Sequence, residues 1–539
     1  MTTPYDVAVI GSGFAGSLLA RLLALRGRSV LLLERGRHPR FSLGESSTPL
    51  AALALERLAA RYHQPDLGSL AAHGRWRRAL PGLRCGVKRG FTFYRHHPDE
   101  AYRNSQANEA RMLVSASPDA GVADCHWLRA DVDAHLVARA RAAGVDYRDQ
   151  VEVVSVEETR HHLRLSGRHQ GDAVEYGARF VVDASGAGEV LARAFGIEPH
   201  GSEVAFSTRL LYGHFESVTP FADVATRAGA ILPAGPYPDD WAAVHHLLDE
   251  GWMYALRFDD GLLSAGLLID QATAGSGSGA GAGDPGSQWR RVLSRYPTLE
   301  AAFAGARPLS PGVRATGRLQ RRRCRAVGER WAMLPQTFAF FDPLFSTGMA
   351  WSLLGVERLA AMLEDGPPSP PELDRYATLL RAEADQQQAL LEAAYVARGD
   401  FTLFRGVSFL YFACVSFEEI RQRVLGEADE LDHRDATRSA AWRGFLGAGD
   451  AQWTALFGQA AARARTVVGD GSVAARRRWT EWVASGIESR NLVGIGESPT
   501  HLYGVDTALL VERSGLLGLT EAEMTKRLPR LRASPVTGD

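Results

Sequence analysis

The fold class read from this sequence is α/β, with a mixed β-sheet inserted into an N-terminal sheet-and-helix unit and a helical subdomain at the C-terminal end. Three observations lead there. A glycine-rich turn, Gly11-x-Gly13-x-x-Gly16, joins a short apolar strand to a helix; strand patterns dominate from about 203 to 270; and from about 372 onward the pattern is mostly helical. The 539 residues suffice for two or three packed units.

Residues 5–10 are a short apolar run, 11–16 the turn, 17–26 a helical apolar repeat stopped by Gly27, and 30–34 a second buried strand. Residues 46–62 suit a helix, 84–95 alternate as a strand carrying Lys88, and 128–143 suit a helix. Strands are expected at 151–157, 162–166 and 179–183, then at 206–218, 253–258 and 262–270. The Gly/Ala/Ser-rich stretch 272–286 reads as a flexible surface loop. After Gly348 the chain turns helical, and Pro367-Pro-Ser-Pro-Pro371 marks a break between helices. The expected domains are 1–200 with 310–365 (84–125 partly on the substrate side), 201–309, and 366–539.

The glycine turn gains weight from its setting. It follows a strand, opens a helix, and is followed 18 residues later by Glu34 at the end of the next strand. Gly11 permits the turn, Gly13 lets the backbone approach a pyrophosphate, and Gly16 allows close helix packing. Phe14 and Ala15 complete the turn at a helix N-terminus that offers N–H groups to phosphates. Glu34, followed by Arg35, can accept hydrogen bonds from ribose hydroxyls. Phe180-Val-Val-Asp183-Ala-Ser-Gly186-Ala-Gly188 resembles a strand and turn late in the FAD domain of glutathione-reductase-like flavoproteins, and Arg129 resembles the arginine those folds place near the pyrophosphate. No second Gly-x-Gly-x-x-Gly set directly between a strand and a helix, as an NAD(P)H unit would be, is found. FAD in a glutathione-reductase-like Rossmann domain is therefore expected, with reducing equivalents arriving from another protein.

Composition narrows the partners. A formal charge of −1 argues against nucleic acid, and the basic run from Arg318 to Arg325 reads better as a solvated face or the neighbourhood of an anionic cofactor. Cys85, Cys125, Cys324 and Cys414 form no Cys-x-x-Cys pair, so neither a disulfide framework nor a metal site is implied. No signal-peptide pattern opens the chain, and no apolar run approaches the ~20 residues that span a bilayer. A cytoplasmic protein without membrane partners is expected.

Of 61 cationic Lys and Arg residues only Lys88 and Lys526 are Lys. Wherever a plain positive charge would serve, this chain uses Arg. Only a primary amine can lose its proton near neutral pH or attack an electrophile, so Lys88 is a candidate for chemistry.

Several motifs together resemble the flavin-dependent halogenases. Gly44-Glu45-Ser46-Ser-Thr-Pro49 is similar to their segment beside the flavin, Phe341-Asp342-Pro343-Leu344-Phe345-Ser346-Thr347-Gly348 to their (Asp/Glu)-Pro-Leu-x-Ser-x-Gly loop, and Cys85-Gly-Val-Lys88-Arg-Gly90-Phe-Thr-Phe93 to the segment bearing their catalytic lysine. The match runs from residue 1 to about 360 and looks closest to the members acting on free phenolic compounds. The resemblance implies FAD used as FADH2, O2, and chloride or bromide. It also implies a separate NAD(P)H-dependent flavin reductase, an aromatic substrate that is either free or carrier-tethered, and a place in secondary metabolism. Hypohalous acid would form at the flavin and Lys88 would direct it to the ring. A buried amine suits that task because burial lowers its pKa from ~10.4 and frees the lone pair.

Thr347 and Gly348, at the start of a helix, are the candidate halide site, although Ser346 or Thr347 could equally be an ordinary N-cap. Asp342 is a candidate base, while Glu45 fits flavin positioning. Gln336, Gly348 and Met349 complete the flavin contacts, Gln336 standing where related proteins often have Asp. Phe91, Phe93, Phe404 and Tyr411 are candidate substrate aromatics. The halogenase Trp-x-Trp-x-Ile-Pro motif is altered here to Trp252-Met-Tyr254-Ala-Leu256-Arg257. That change keeps open an FAD-dependent monooxygenase or oxidase acting directly at the flavin, and a non-catalytic flavoprotein is the third reading.

Overall fold

Strand Tyr5–Ile10 lies between Val30–Leu33 and Asp172–Asp183, parallel to both. The computed structural model describes residues 3–201, 204–274, 283–426 and 442–531. Both faces of the central strands are covered, so they read as continuous apolar runs rather than alternating ones. Helix Phe14–Leu25 starts directly after the glycine turn, and Arg129–Ala142 packs beside it. This is the expected α/β nucleotide-binding unit, in an eight-stranded sheet.

The inserted sheet has nine strands. Its order runs through Thr208–Glu216, Leu263–Asp270, Gly251–Arg257, Ala243–Leu247, Gly90–Arg95 and Arg111–Ser115, and ends on Leu502–Tyr503. Two of its features escape the sequence reading. Ala243–Leu247 is buried along its whole length and shows no alternation to find. Leu502–Tyr503 comes from the tail expected to be helical and pairs parallel with Leu113 and Val114.

The expected strand 84–95 is two strands in two sheets. Among the described residues Cys85–Lys88 pairs only with Asp124–Trp127, whereas Gly90–Arg95 joins the nine-stranded sheet. The chain changes sheets at Arg89, whose N–H donates to Trp241 O at 2.6 Å and whose guanidinium donates to Ser117 O and Pro118 O. Gly90 is required there: a Cβ would stand 2.0 Å from Val114 O.

The expected loop 272–286 is helical at both ends, in Gln271–Ala274 and in Pro285–Leu293, where the Asp284 carboxylate accepts from Ser287 N. Residues 275–282 between them lie outside the described residues.

Helices Thr347–Leu363, Pro370–Ala397 and Phe401–Leu425 share one continuous apolar core with the nucleotide-binding sheet. At its centre Arg358 and Glu383 are an ion pair at 2.6 Å with neither side chain exposed. Trp351 Nε1 and Phe445 N also donate to Glu383. Phe401–Leu425 is long and apolar enough to cross a bilayer by length and composition, although no run of that kind stood out in the sequence. Within the fold 72% of its apolar window is buried, so the protein core already occupies that surface.

Candidate active site

The glycine turn is shaped for a dinucleotide. Gly11 has φ +105°, and a Cβ on Gly16 would lie 2.0 Å from Gly11 O, so helix and turn touch through bare backbone. Gly13 caps the helix without any side-chain hydrogen bond, leaving its first N–H groups to a ligand. Arg129 adjoins this end: a Cβ on Gly13 would be 3.5 Å from Arg129 Nη2, and the guanidinium lies over the Phe14 ring at 4.7 Å. Asp133 holds that guanidinium through two hydrogen bonds.

Glu34 accepts from Ser12 N, Ser12 Oγ and Gly36 N. Burial raises its carboxyl, but Arg40 and these donors outweigh it and keep the group below the usual carboxylate range. It is ionised and ready to accept from a ribose, and Arg35 beyond it is exposed. Asp183 is fully buried and binds Ser185 N and Leu191 N, so it shapes the second turn. These features fit a bound FAD.

Lys88 has no exposed surface. Its Nζ donates to Ser47 O at 2.6 Å and sits 4.1 Å from the Phe91 ring centre. Ser47 belongs to the Gly44–Pro49 segment expected beside the flavin. That segment is pinned along strand Asp124–Trp127 by Ser47 N to Cys125 O, Cys125 N to Ser47 Oγ, and Trp127 N to Glu45 O. Glu45 in turn accepts from His214 Nε2 at 3.1 Å. The Gly44–Pro49 segment thus holds the amine directly.

Directly across the ladder from Lys88 stands Asp124, also buried, with Oδ2 lacking a hydrogen-bond partner among the described residues. Burial pushes the Lys88 amine below its ordinary value and the Asp124 carboxyl above its own, each opposed by the charge of the other. Burial and the Lys88 charge also hold His126, two residues along the same face, down to about 3, and its Nδ1 has no partner among the described residues. Asp124 and His126 were not foreseen. Strand register brings them to Lys88, and no motif spacing announces it.

At the start of Thr347–Leu363, Phe345 and Ser346 both take left-handed conformations, with φ of 66° and 54°. Ser346 is the N-cap position, yet its side chain makes no cap bond and donates instead to Ser46 Oγ at 3.1 Å. The N–H groups of Thr347 and Gly348 therefore meet no side-chain cap, as an anion site requires. The Gln336 amide stands beside Gly348, 3.5 Å from where a Cβ would be, and Met349 is buried on the next residue.

Asp342 accepts from Leu344 N at 2.9 Å and from Tyr395 Oη at 2.6 Å. Burial pushes its carboxyl up to about 7 against those hydrogen bonds. Trp252 Nε1 donates to Tyr395 Oη. The altered Trp motif still makes a wall: Trp252 stacks on His245, and His245 stacks on both Phe93 and Phe91, with centroids 4.9 to 5.7 Å apart. Alternation sends Trp252, Tyr254 and Leu256 into the core shared with the nucleotide-binding unit, and Met253 and Ala255 to the opposite face. Arg257 pairs with Asp240 at the strand end.

A cavity of about 120 Å³ opens beside this wall. Phe91, Val114, Tyr411, Phe412, Val415 and Ile420 supply apolar surface, and Thr48 and Glu419 are among its polar lining. Phe91 and Tyr411 were expected there. Phe93 and Phe404 are not in its lining; they pack against each other at 5.5 Å in the core behind.

A second cluster, His73, Cys85 and Asp259, offers metal-type donors. Its Asp259 carboxylate already accepts from His73 Nε2 and Val87 N and pairs with Arg77, which explains the group as an ion-paired tie.

A family model for FAD dependent oxidoreductases matches residues 6–327. The chain belongs to that family. This FAD-dependent oxidoreductase is 29% identical over 375 residues to tetracycline 7-halogenase of Kitasatospora aureofaciens, covering 67% of this chain and 64% of that protein, less than two thirds of its length. It is 26% identical over 488 residues to monodechloroaminopyrrolnitrin halogenase PrnC of Pseudomonas fluorescens, covering 86% and 81%. Among solved structures, halogenase PltM in complex with phloroglucinol and FAD aligns with a TM-score of 0.80 at 23% identity, over 92% of this chain and 98% of that one. The fold is therefore shared across the helical tail, where the sequence resemblance weakens.

Proposed function

We propose that this FAD-dependent oxidoreductase is a halogenase acting on an electron-rich, phenolic aromatic ring. The observation that carries the reading is the fully buried Lys88 amine, held by the backbone of the flavin-side segment and depressed toward its neutral form. Bound in the glycine cradle, reduced FAD with O2 supplies the two-electron oxidation of chloride or bromide to hypohalous acid.

The chain's own residues do the rest. Thr347 and Gly348 present uncapped N–H groups to the halide, and Glu34 and Arg129 hold the cofactor's ribose and pyrophosphate. Lys88, as a free amine, receives the hypohalous acid by hydrogen bond or as a haloamine, the latter releasing water. Arg, always charged, could donate a hydrogen bond but could not form the haloamine. Asp342 holds Leu344 N and Tyr395 Oη at the wall, and through Tyr395 it holds Trp252. The stacked wall of Trp252, His245, Phe93 and Phe91 keeps the arene off the isoalloxazine, which favours halogenation over direct oxygen transfer. A separate flavin reductase delivers the reduced cofactor, and the substrate is a free or carrier-tethered arene.

The test supplies the protein with FAD, a flavin reductase, NADH, bromide and a panel of phenols. Brominated product is expected from the wild type and none from Lys88→Ala, while flavin oxidation continues in both. Hydroxylated product that persists without halide would overturn the assignment in favour of a monooxygenase.

A further inference from the structure

The cavity beside the aromatic wall is apolar except for a few groups, and most of those are already engaged. Ser416 Oγ donates to Phe412 O, Ser115 Oγ to Ser117 O, Tyr411 Oη to Phe345 O, and Asp506 caps the helix Thr507–Glu512. Glu419 differs. One oxygen, Oε1, accepts from Arg423 Nε at 2.6 Å, and the other has no partner among the described residues. Its side chain is 17% exposed, and Arg423 behind it is fixed by Glu56, which Arg75 also binds.

We propose that Glu419 is the substrate-orienting residue of the halogenase reading above, its free carboxylate oxygen accepting the hydrogen bond of a phenolic hydroxyl on a one-ring substrate. Three features select that ligand. The series Glu419, Arg423, Glu56 and Arg75 is already balanced in charge, so a cationic ligand would bring an unpaired charge into an apolar space, whereas a neutral donor would not. Phe91, Tyr411 and Phe412 offer ring faces and edges for an aromatic body. The volume of about 120 Å³ is near that of cavities of about 150 Å³ known to take benzene.

The contact also bears on reactivity. A carboxylate accepting from a phenol pushes electron density into the ring at the carbons ortho and para to oxygen, where electrophilic halogen adds and a proton leaves. Phe91, the ring under Lys88 Nζ, is another wall of the same cavity, so the oriented ring lies on the lysine's side of the fold.

The experiment is calorimetric titration of the full-length, FAD-loaded protein with 3-methylphenol and with its O-methyl ether, in wild type, Glu419→Gln and Glu419→Asp. The 4-hydroxybenzoyl thioester of N-acetylcysteamine and its O-methyl ether are run beside them to tell a tethered source from a free one. Wild type should prefer a hydroxyl ligand over its ether by about tenfold or more. Glu419→Gln should lose most of that preference while binding the ether unchanged, and Glu419→Asp, which keeps the charge and the Arg423 pairing, should retain part of it. Equal binding of hydroxyl and ether by wild type, or equal losses for both ligands in Glu419→Gln, overturns the proposal. Binding is read without turnover, so failure to halogenate with the preference intact counts against the halogenase reading and leaves this contact standing.

Discussion

Lys88 and Asp124 face each other across a two-stranded ladder that belongs to neither large sheet, and both are buried without a hydrogen bond between them. The pair is most economically one-proton: ammonium with carboxylate, or amine with carboxylic acid. Asp124 opposes the depression of the amine, so removing its charge should depress the amine further. If catalysis needs the free amine, activity rises with pH as Lys88 loses its proton. Asp124→Asn should then shift that rising limb of kcat/KM to lower pH, read from bromination rates across pH 5–9. An unmoved limb would show that the ladder partner is structural.

The cradle makes a prediction independent of halogenation. Gly16→Ala places a methyl 2.0 Å from Gly11 O, a distance no backbone relaxation absorbs without opening the turn. Purified variant should retain little FAD by its absorbance near 450 nm. Glu34→Gln keeps the shape and removes the charge, so FAD affinity should fall about 10- to 150-fold, matching the ~1.5–3 kcal/mol of a charged hydrogen bond. Fluorescence titration of the apoprotein measures both.

Much of this cradle was legible because its residues are consecutive: strand, three glycines, helix, and an acid closing the next strand. Lys88 was legible for a different reason, its rarity among 61 cationic residues. Asp124 and Glu419 were not. Asp124 reaches Lys88 only through strand register, and Glu419 reaches the cavity only because helix Phe401–Leu425 packs against helix Pro49–Arg61, whose first residues line the same cavity. The aromatic candidates divide along the same line. Composition marks Phe91, Phe93, Phe404 and Tyr411 alike, and tertiary packing alone puts Phe91 and Tyr411 on the cavity.

Asp342 should leave a signature in stability. Burial lifts its carboxyl from the usual value near 3.8 to about 7. Between those values the folded protein holds more protons than the unfolded chain, so this group's contribution falls as pH rises through the window and is level above it. Asp342→Asn cannot ionise, and should flatten the decline in apparent Tm between pH 5 and 7.5 relative to wild type. A variant with the same slope as wild type would mean the carboxyl is already ionised at pH 5.

The strongest single dependence of the fold should be the Arg358–Glu383 pair, because both charges are fully buried and Glu383 also serves Trp351 and Phe445. Glu383→Gln keeps the volume but removes the Glu383 charge from beside the Arg358 guanidinium in the core joining helices Thr347–Leu363 and Pro370–Ala397. Breaking such a pair costs about 3–5 kcal/mol. The loss should appear as a lower urea midpoint at saturating FAD. Replacing both partners, Arg358→Met with Glu383→Leu, removes the guanidinium as well and should recover a large part of the loss, short of the hydrogen bonds to Trp351 and Phe445. If the double variant is no more stable than Glu383→Gln, those two hydrogen bonds, and not the ion pair, hold the helices together.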